Sequence, residues 1–185
     1  MSEMLINLRG TSGSGKSTVV RALLGRYGAH PIFDLLGPTA PEAYRLVRAP
    51  FKSRVYVLGP YLARCGGCDA VGSIDLLIEL LHAYHAKGTV IFEGLIISSM
   101  YGSIGQELEK HGKSALIAFL TTPYERCCAQ LKKRQSEGRA RGNQSFDRHF
   151  DGTQRVKERM LKDGRLRVEE LDPDHAVTQI ATWLA

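Results

Sequence analysis

No apolar run in the chain approaches the roughly eighteen residues that a membrane-spanning helix needs. A signal-peptide build is also missing, because the strand-like Met4-Leu5-Ile6-Asn7-Leu8 begins almost at once. Membrane residence and secretion are not expected, and the reading is a cytoplasmic protein. Cysteine is scarce: the four are Cys65, Cys68 and the adjacent Cys127 and Cys128. Neighbouring cysteines make poor disulfide partners, and a reducing compartment leaves them as thiols. Cys65-x2-Cys68 followed by His82-x2-His85 imitates a four-ligand zinc site. That histidine spacing is shorter than in zinc fingers, and both histidines fall inside an apolar helical run, so structural zinc is not expected. No linker and no repeat interrupts the chain. What remains is a single domain over residues 1–185, with 43% hydrophobic and 24% charged residues, enough for a real core.

Acidic residues are under-represented in one region only. The net charge is +6, and Arg126–Arg167 holds 13 Lys and Arg against 5 Asp and Glu, a local excess of +8. The rest of the chain sums to −2. Such a stretch is either a solvated basic helix or a surface for a phosphate-rich partner.

Strands and helices alternate from end to end. Strands are expected at Met4–Leu8, Pro31–Leu36, Arg54–Leu58, Thr89–Phe92, Ala115–Leu120 and Leu166–Leu171. Helices are expected from Lys16 to about Gly25, over Ala40–Val47, Ser73–Ala86, Ser103–Lys110, Thr122–Arg134 and Asp147–Lys162, and at the C-terminus. Gln135–Ser145 carries two glycines, two arginines and no apolar face, and reads as a loop just after Arg134. Alternation of this kind calls for a parallel sheet covered on both faces.

The strongest signal is Gly10-Thr11-Ser12-Gly13-Ser14-Gly15-Lys16-Ser17, followed by Thr18. It has the G-x-x-x-x-G-K-[ST] spacing and lies between an expected strand and an expected helix. Glycines let backbone N–H groups wrap a polyphosphate, and the helix N-terminus adds its dipole. Lys16 would reach the β- and γ-phosphates and the Ser17 hydroxyl would ligate Mg²⁺. The chain has no guanine-specificity motif and is short for a motor, so a kinase is favoured.

Other residues acquire roles on that reading. Glu93 ends an apolar strand and would emerge beside the phosphate loop, where it could hold Mg²⁺. Asp34 and Asp69 are rival candidates for the base that a neutral hydroxyl acceptor requires. Arg134, Arg139 and Arg141 could close over the transferring phosphoryl group, or form a solvated charge run. Gly59–Asp69 is the oddest stretch: Tyr61 could stack on a base, Arg64 could touch phosphate, and Gly66 and Gly67 permit close backbone approach. A tight structural loop is the alternative.

With Gly10–Ser17, Val90-Ile91-Phe92-Glu93-Gly94, Phe119-Leu120-Thr121-Thr122-Pro123 and the arginine-rich loop, the chain resembles P-loop nucleotide kinases over its whole length. Leu58-Gly59-Pro60-Tyr61, Cys65-Gly66-Gly67-Cys68-Asp69 and Phe92-Glu93-Gly94-Leu95 most resemble the bacteriophage 5-hydroxymethyluracil DNA kinases. It lacks the Asp-Arg pair that thymidylate kinases carry after the corresponding strand. The resemblance implies a three-layer α/β fold, with a five-stranded parallel sheet, helices on both faces and an Arg-rich lid over about 135–146. It implies ATP and Mg²⁺ as cofactors, and the hydroxymethyl group of 5-hydroxymethyluracil in DNA as acceptor. A kinase for a free nucleoside or nucleotide, and an NTP-sensing module, remain as alternatives.

Overall fold

The computed structural model describes residues 3–35, 37–48, 51–62, 66–99, 101–137 and 146–185. The expected contributions of Arg64, Cys65, Arg139 and Arg141, and most of the expected lid, lie outside them.

Three strands whose every residue is buried make the centre: β1 (Leu5–Arg9), β5 (Thr89–Glu93) and β6 (Ala115–Leu120). Continuous apolar runs of this kind suit strands covered on both faces. β1 pairs in parallel with both neighbours, Leu5 lying opposite Val90 on one side and Ala115 on the other. β4 (Val55–Leu58) extends the parallel sheet beyond β5, and β7 (Arg167–Leu171) extends it beyond β6.

Among the described residues the sheet has seven strands, in the order β2 (Ala29–Ile32), β3 (Ala43–Leu46), β4, β5, β1, β6 and β7, and corrects the expected five-stranded parallel one. Five strands are parallel; β2 and β3 form an antiparallel extension on the β4 edge. Ala40–Val47, expected as a helix, contains β3. Ala, Glu, Arg and Leu favour helix locally, but Ala43, Tyr44 and Leu46 are buried against the neighbouring strands, and pairing outweighs a weak propensity.

Helices cover both faces. On one side α1 (Lys16–Tyr27) and α7 (Ala176–Leu184) pack Val20, Leu23 and Ile180 on Ile6, Leu8 and Ala118. On the other, α2 (Ile74–His85), α3 (Leu95–Ser98), α4 (Gly102–Lys110) and α6 (Phe146–Asp163) pack on Leu5, Phe92 and Ile117. α5 (Tyr124–Ser136) leads from β6 to the segment before α6. The expected α2 is present, with the Ser73 hydroxyl accepting from the Leu76 amide at 3.1 Å as its N-cap. Among the described residues no helix is long and apolar enough to cross a membrane, and Cys68, Cys127 and Cys128 are free thiols.

The antiparallel extension is fastened by a buried carboxylate. Glu42, wholly inaccessible, accepts hydrogen bonds from the Leu35 amide and the Tyr84 hydroxyl, each at 2.6 Å. Burial, then the bond to Glu42, push the Tyr84 hydroxyl far above its usual pKa. Tyr84→Phe removes one donor from a buried acid and should cost about 1–3 kcal/mol. Thermal denaturation should show a Tm several degrees lower, roughly 2–4 °C for each kcal/mol in a domain of this size.

Candidate active site

The loop between β1 and α1 stands at the carboxyl end of the central strand. There the connections leave the sheet toward opposite faces, the usual place for a ligand crevice in such folds. The Gly10 amide donates to the Ser98 hydroxyl at 3.2 Å, and the Thr122 hydroxyl donates to the Ser14 carbonyl at 2.7 Å. Gly13, at φ +78°, leaves no room for a side chain: a Cβ there would lie 2.6 Å from the Cys127 carbonyl oxygen. The loop is thus held from α3, from the end of β6 and from α5. Ser98 carried no sequence signal, and Thr122 was visible only as part of Thr121-Thr122-Pro123.

Ser12, Gly13, Ser14, Gly15, Lys16 and Ser17 line a cavity of about 130 Å³, together with Gly66, Asp69, Glu93 and Arg134. Gly10 and Thr11 meet the Lys16 ammonium, which donates to their carbonyls at 2.7 and 3.1 Å. Thr18 is exposed on the first turn of α1. Burial lowers the Lys16 pKa, Glu93 and Asp69 push it back up, and Arg134 lowers it again.

Glu93 closes the back of the cavity. Its carboxylate is 1% exposed and accepts from the Ser17 hydroxyl at 2.8 Å and the Tyr61 hydroxyl at 3.4 Å. Burial raises its pKa, and Lys16 and Ser17 only partly offset this while Asp69 adds to it. Ser17, Glu93 and Asp69 therefore form an all-oxygen, cation-seeking corner. A buried carboxylate with a raised pKa beside a hydroxyl is a donor set that fits a hard divalent ion such as Mg²⁺.

Gly66 and Gly67 lie close against the rest of the chain. The Gly67 amide donates to the Pro60 carbonyl at 3.1 Å. A Cβ on Gly67, whose φ is +87°, would meet Glu93 Oε1 at 2.5 Å. Tyr61 is 7% exposed, its ring packed on Tyr44 with Arg21 over it. Of the two sequence readings, base stacking or a tight structural loop, the packing favours the second: the ring builds the wall behind Glu93.

The two candidate bases part company. Asp69 lines the phosphate-loop cavity and accepts from the Ile96 amide of α3 at 3.1 Å. Asp34 follows β2, four strands from β1, which is roughly 19 Å at ordinary strand spacing. It lines a different cavity with Tyr56, Tyr84 and Lys87. Of the arginines, Arg134 on α5 faces the phosphate loop. Sequence reading missed Arg9, fully buried with its Nε donating to Asn7 at 2.6 Å; burial lowers its pKa to about 9. An arginine at the end of an apolar strand was the available signal.

Gly67→Ala should strain the backbone by about 1–3 kcal/mol and displace Glu93. Tm and phosphoryl transfer should both fall. Gly25→Ala, within α1 and facing open space, should instead leave transfer intact and raise stability by about 0.5–1 kcal/mol.

No protein-family model matches the chain. Its fold is similar to that of deoxyadenosine kinase from M. mycoides with bound dATP, with a TM-score of 0.51 at 14% identity over 98% of this chain and 99% of that one. In sequence it is 27% identical over 167 residues to the 5-hmdU DNA kinase of Pseudomonas phage M6, covering 86% of each chain. It is 35% identical over 134 residues to the 5-hmdU DNA kinase of Pseudomonas phage PaMx11, covering 72% of this chain and 70% of that protein. With the phosphate loop, the Glu93 corner and this degree of likeness together, the chain belongs to the 5-hmdU DNA kinase family.

Proposed function

We propose that the chain transfers the γ-phosphoryl group of ATP to the hydroxymethyl oxygen of 5-hydroxymethyluracil in DNA. The reading is carried by the convergence of a phosphate loop, the Ser17–Glu93 pair and a second carboxylate, Asp69, on one cavity. Backbone amides of Gly13–Ser17 and the N-terminus of α1 receive the β- and γ-phosphates. Lys16 exchanges the Gly10 and Thr11 carbonyls for phosphate oxygens, and Arg134 approaches from the α5 side to neutralise the transferring group. Ser17 and Glu93 would hold Mg²⁺, which supplies charge neutralisation on the phosphates.

A hydroxymethyl acceptor is neutral and must lose a proton. Asp69 takes it as the bond from the acceptor oxygen to phosphorus forms. The bond from phosphorus to the β,γ-bridging oxygen breaks, and ADP leaves with its electron pair. The 5-substituent of a pyrimidine lies in the major groove. To reach this cavity the target nucleotide leaves the stack, at a cost of a few kcal/mol.

The rest of the strand has a surface to follow. On α6, Arg148, Arg155, Arg159 and Lys162 repeat at intervals of seven, four and three residues, so they share one helical face and are exposed. The stripe is about 21 Å long at 1.5 Å per residue. Elsewhere in the basic stretch Arg126, Lys157, Arg165 and Arg167 are neutralised by Asp174, Glu170, Asp163 and Glu169.

The deciding assay supplies γ-labelled ATP and Mg²⁺ with hydroxymethyluracil DNA, ordinary DNA, or free nucleosides and nucleotides. Label on the hydroxymethyluracil DNA is expected; label confined to small molecules would overturn the acceptor assignment. Lys16→Ala should cost about 100-fold or more in turnover. Asp69→Asn should cost about 100-fold, whereas Asp34→Asn should leave turnover unchanged. Replacing Arg148, Arg155 and Lys162 with Gln should weaken DNA binding and lower its salt slope by roughly one unit per lost phosphate contact. Turnover on saturating DNA should persist.

A further inference from the structure

We propose that His82, Glu107 and His111 form a second metal site, for a divalent ion of the zinc type, that ties α2 to α4 away from the phosphate loop. His82 lies in the last turn of α2, and Glu107 and His111 stand four residues apart at the end of α4. His82 Nε2 is 2.6 Å from Glu107 Oε1, and His111 Nε2 is 3.6 Å from the same oxygen. The other carboxylate oxygen is held by Lys110 at 2.6 Å. One donor atom from each of the three residues lies within 4.8 Å of the others. Two imidazoles converging on one carboxylate oxygen, from two helices, make a three-donor fan rather than three separate surface pairs.

A zinc ion bonded at about 2.1 Å places tetrahedral donors roughly 3.4 Å apart. The Glu107–His111 separation is already near that value. The His82 contact must open, and its half-exposed side chain is able to rotate, whereas Glu107 is 5% exposed and fixed. Burial alone would raise the Glu107 pKa, but hydrogen bonds from Lys110 and His82 outweigh it and hold the acid at about 2. Lys110, on the far oxygen of the carboxylate, leaves Oε1 as the atom that both imidazoles face. His85 packs edge-on against His111, with ring centroids 5.0 Å apart.

Donor chemistry separates this site from the catalytic one. Two nitrogens and an oxygen, with positions left for water, suit Zn²⁺, Co²⁺, Ni²⁺ or Cu²⁺, while the all-oxygen corner at Ser17 and Glu93 suits Mg²⁺. The two sites also lie at opposite ends of the sheet. α2 starts after the cavity loop and delivers His82 and His85 just before Thr89, where β5 begins. The partners differ from those suggested by Cys-x2-Cys and His-x2-His: Cys68 Sγ donates instead to the Leu58 carbonyl at 3.8 Å.

The test uses full-length, tag-free protein freed of metal by a chelator and titrated with ZnCl₂ or CoCl₂. One equivalent of Zn²⁺ should bind, competing with a chromophoric chelator, and should raise Tm. Co²⁺ should give visible d–d bands. His82→Gln, at a half-exposed position, and His111→Ala should each weaken binding about tenfold or more and abolish the bands. Kinase activity with Mg²⁺ and ATP should be the same with and without the bound zinc. Failure to bind one equivalent at micromolar zinc, or unchanged affinity in both variants, would overturn the site.

Discussion

The buried Glu93 carboxylate is the interaction on which the site depends. A carboxylate taken from water at the end of a central strand is costly unless donors and charge meet it. Here the donors come from α1 through Ser17 and from the glycine loop through Tyr61, with Lys16 supplying the compensating charge. Satisfying one acid therefore positions two separate segments against β5. Gly67 must lie against Glu93 without a side chain, which brings Asp69 to the cavity a few residues later. The raised pKa of Glu93 records that this compensation is incomplete, and a hard cation would complete it.

The topology explains why two acids of similar sequence appearance have different surroundings. Asp34 and Asp69 both follow segments near the carboxyl edge of the sheet. Asp34 sits on an antiparallel extension fastened by Glu42 and Tyr84, and Asp69 in a loop folded back on β5. Distance across the strands, more than chemistry, separates them. The basic stretch divides in a similar way. Part of it is neutralised by acids on β7 and its flanks, and part forms the stripe on α6.

Much of this was legible in the sequence, because Gly10–Ser17 combines a specific spacing with a strand before it and a helix after it. The apolar runs of β1, β5 and β6 identified themselves as doubly covered strands, which placed Glu93 at the sheet edge. Long-range packing hid the rest. Ala43–Leu46 is a strand because its neighbours are strands, although its residue types also suit a helix. Tyr61 faces inward because Tyr44 and Arg21 enclose it. Ser98, Thr122 and Glu107 act through partners 88, 108 and 25 residues away, separations that no local pattern encodes.

On the proposed reaction the phosphate goes to the hydroxymethyl group of the base. Phosphorylating end-blocked hydroxymethyluracil DNA, digesting it with nucleases that leave monoesters intact, and weighing the nucleotides tests this directly. Beyond the backbone phosphate that every nucleotide keeps, one added phosphate is expected on the hydroxymethyluracil nucleotide and none on the other three. A hydroxymethyluracil nucleotide carrying only its backbone phosphate would exclude this acceptor, whatever label the strand carried elsewhere.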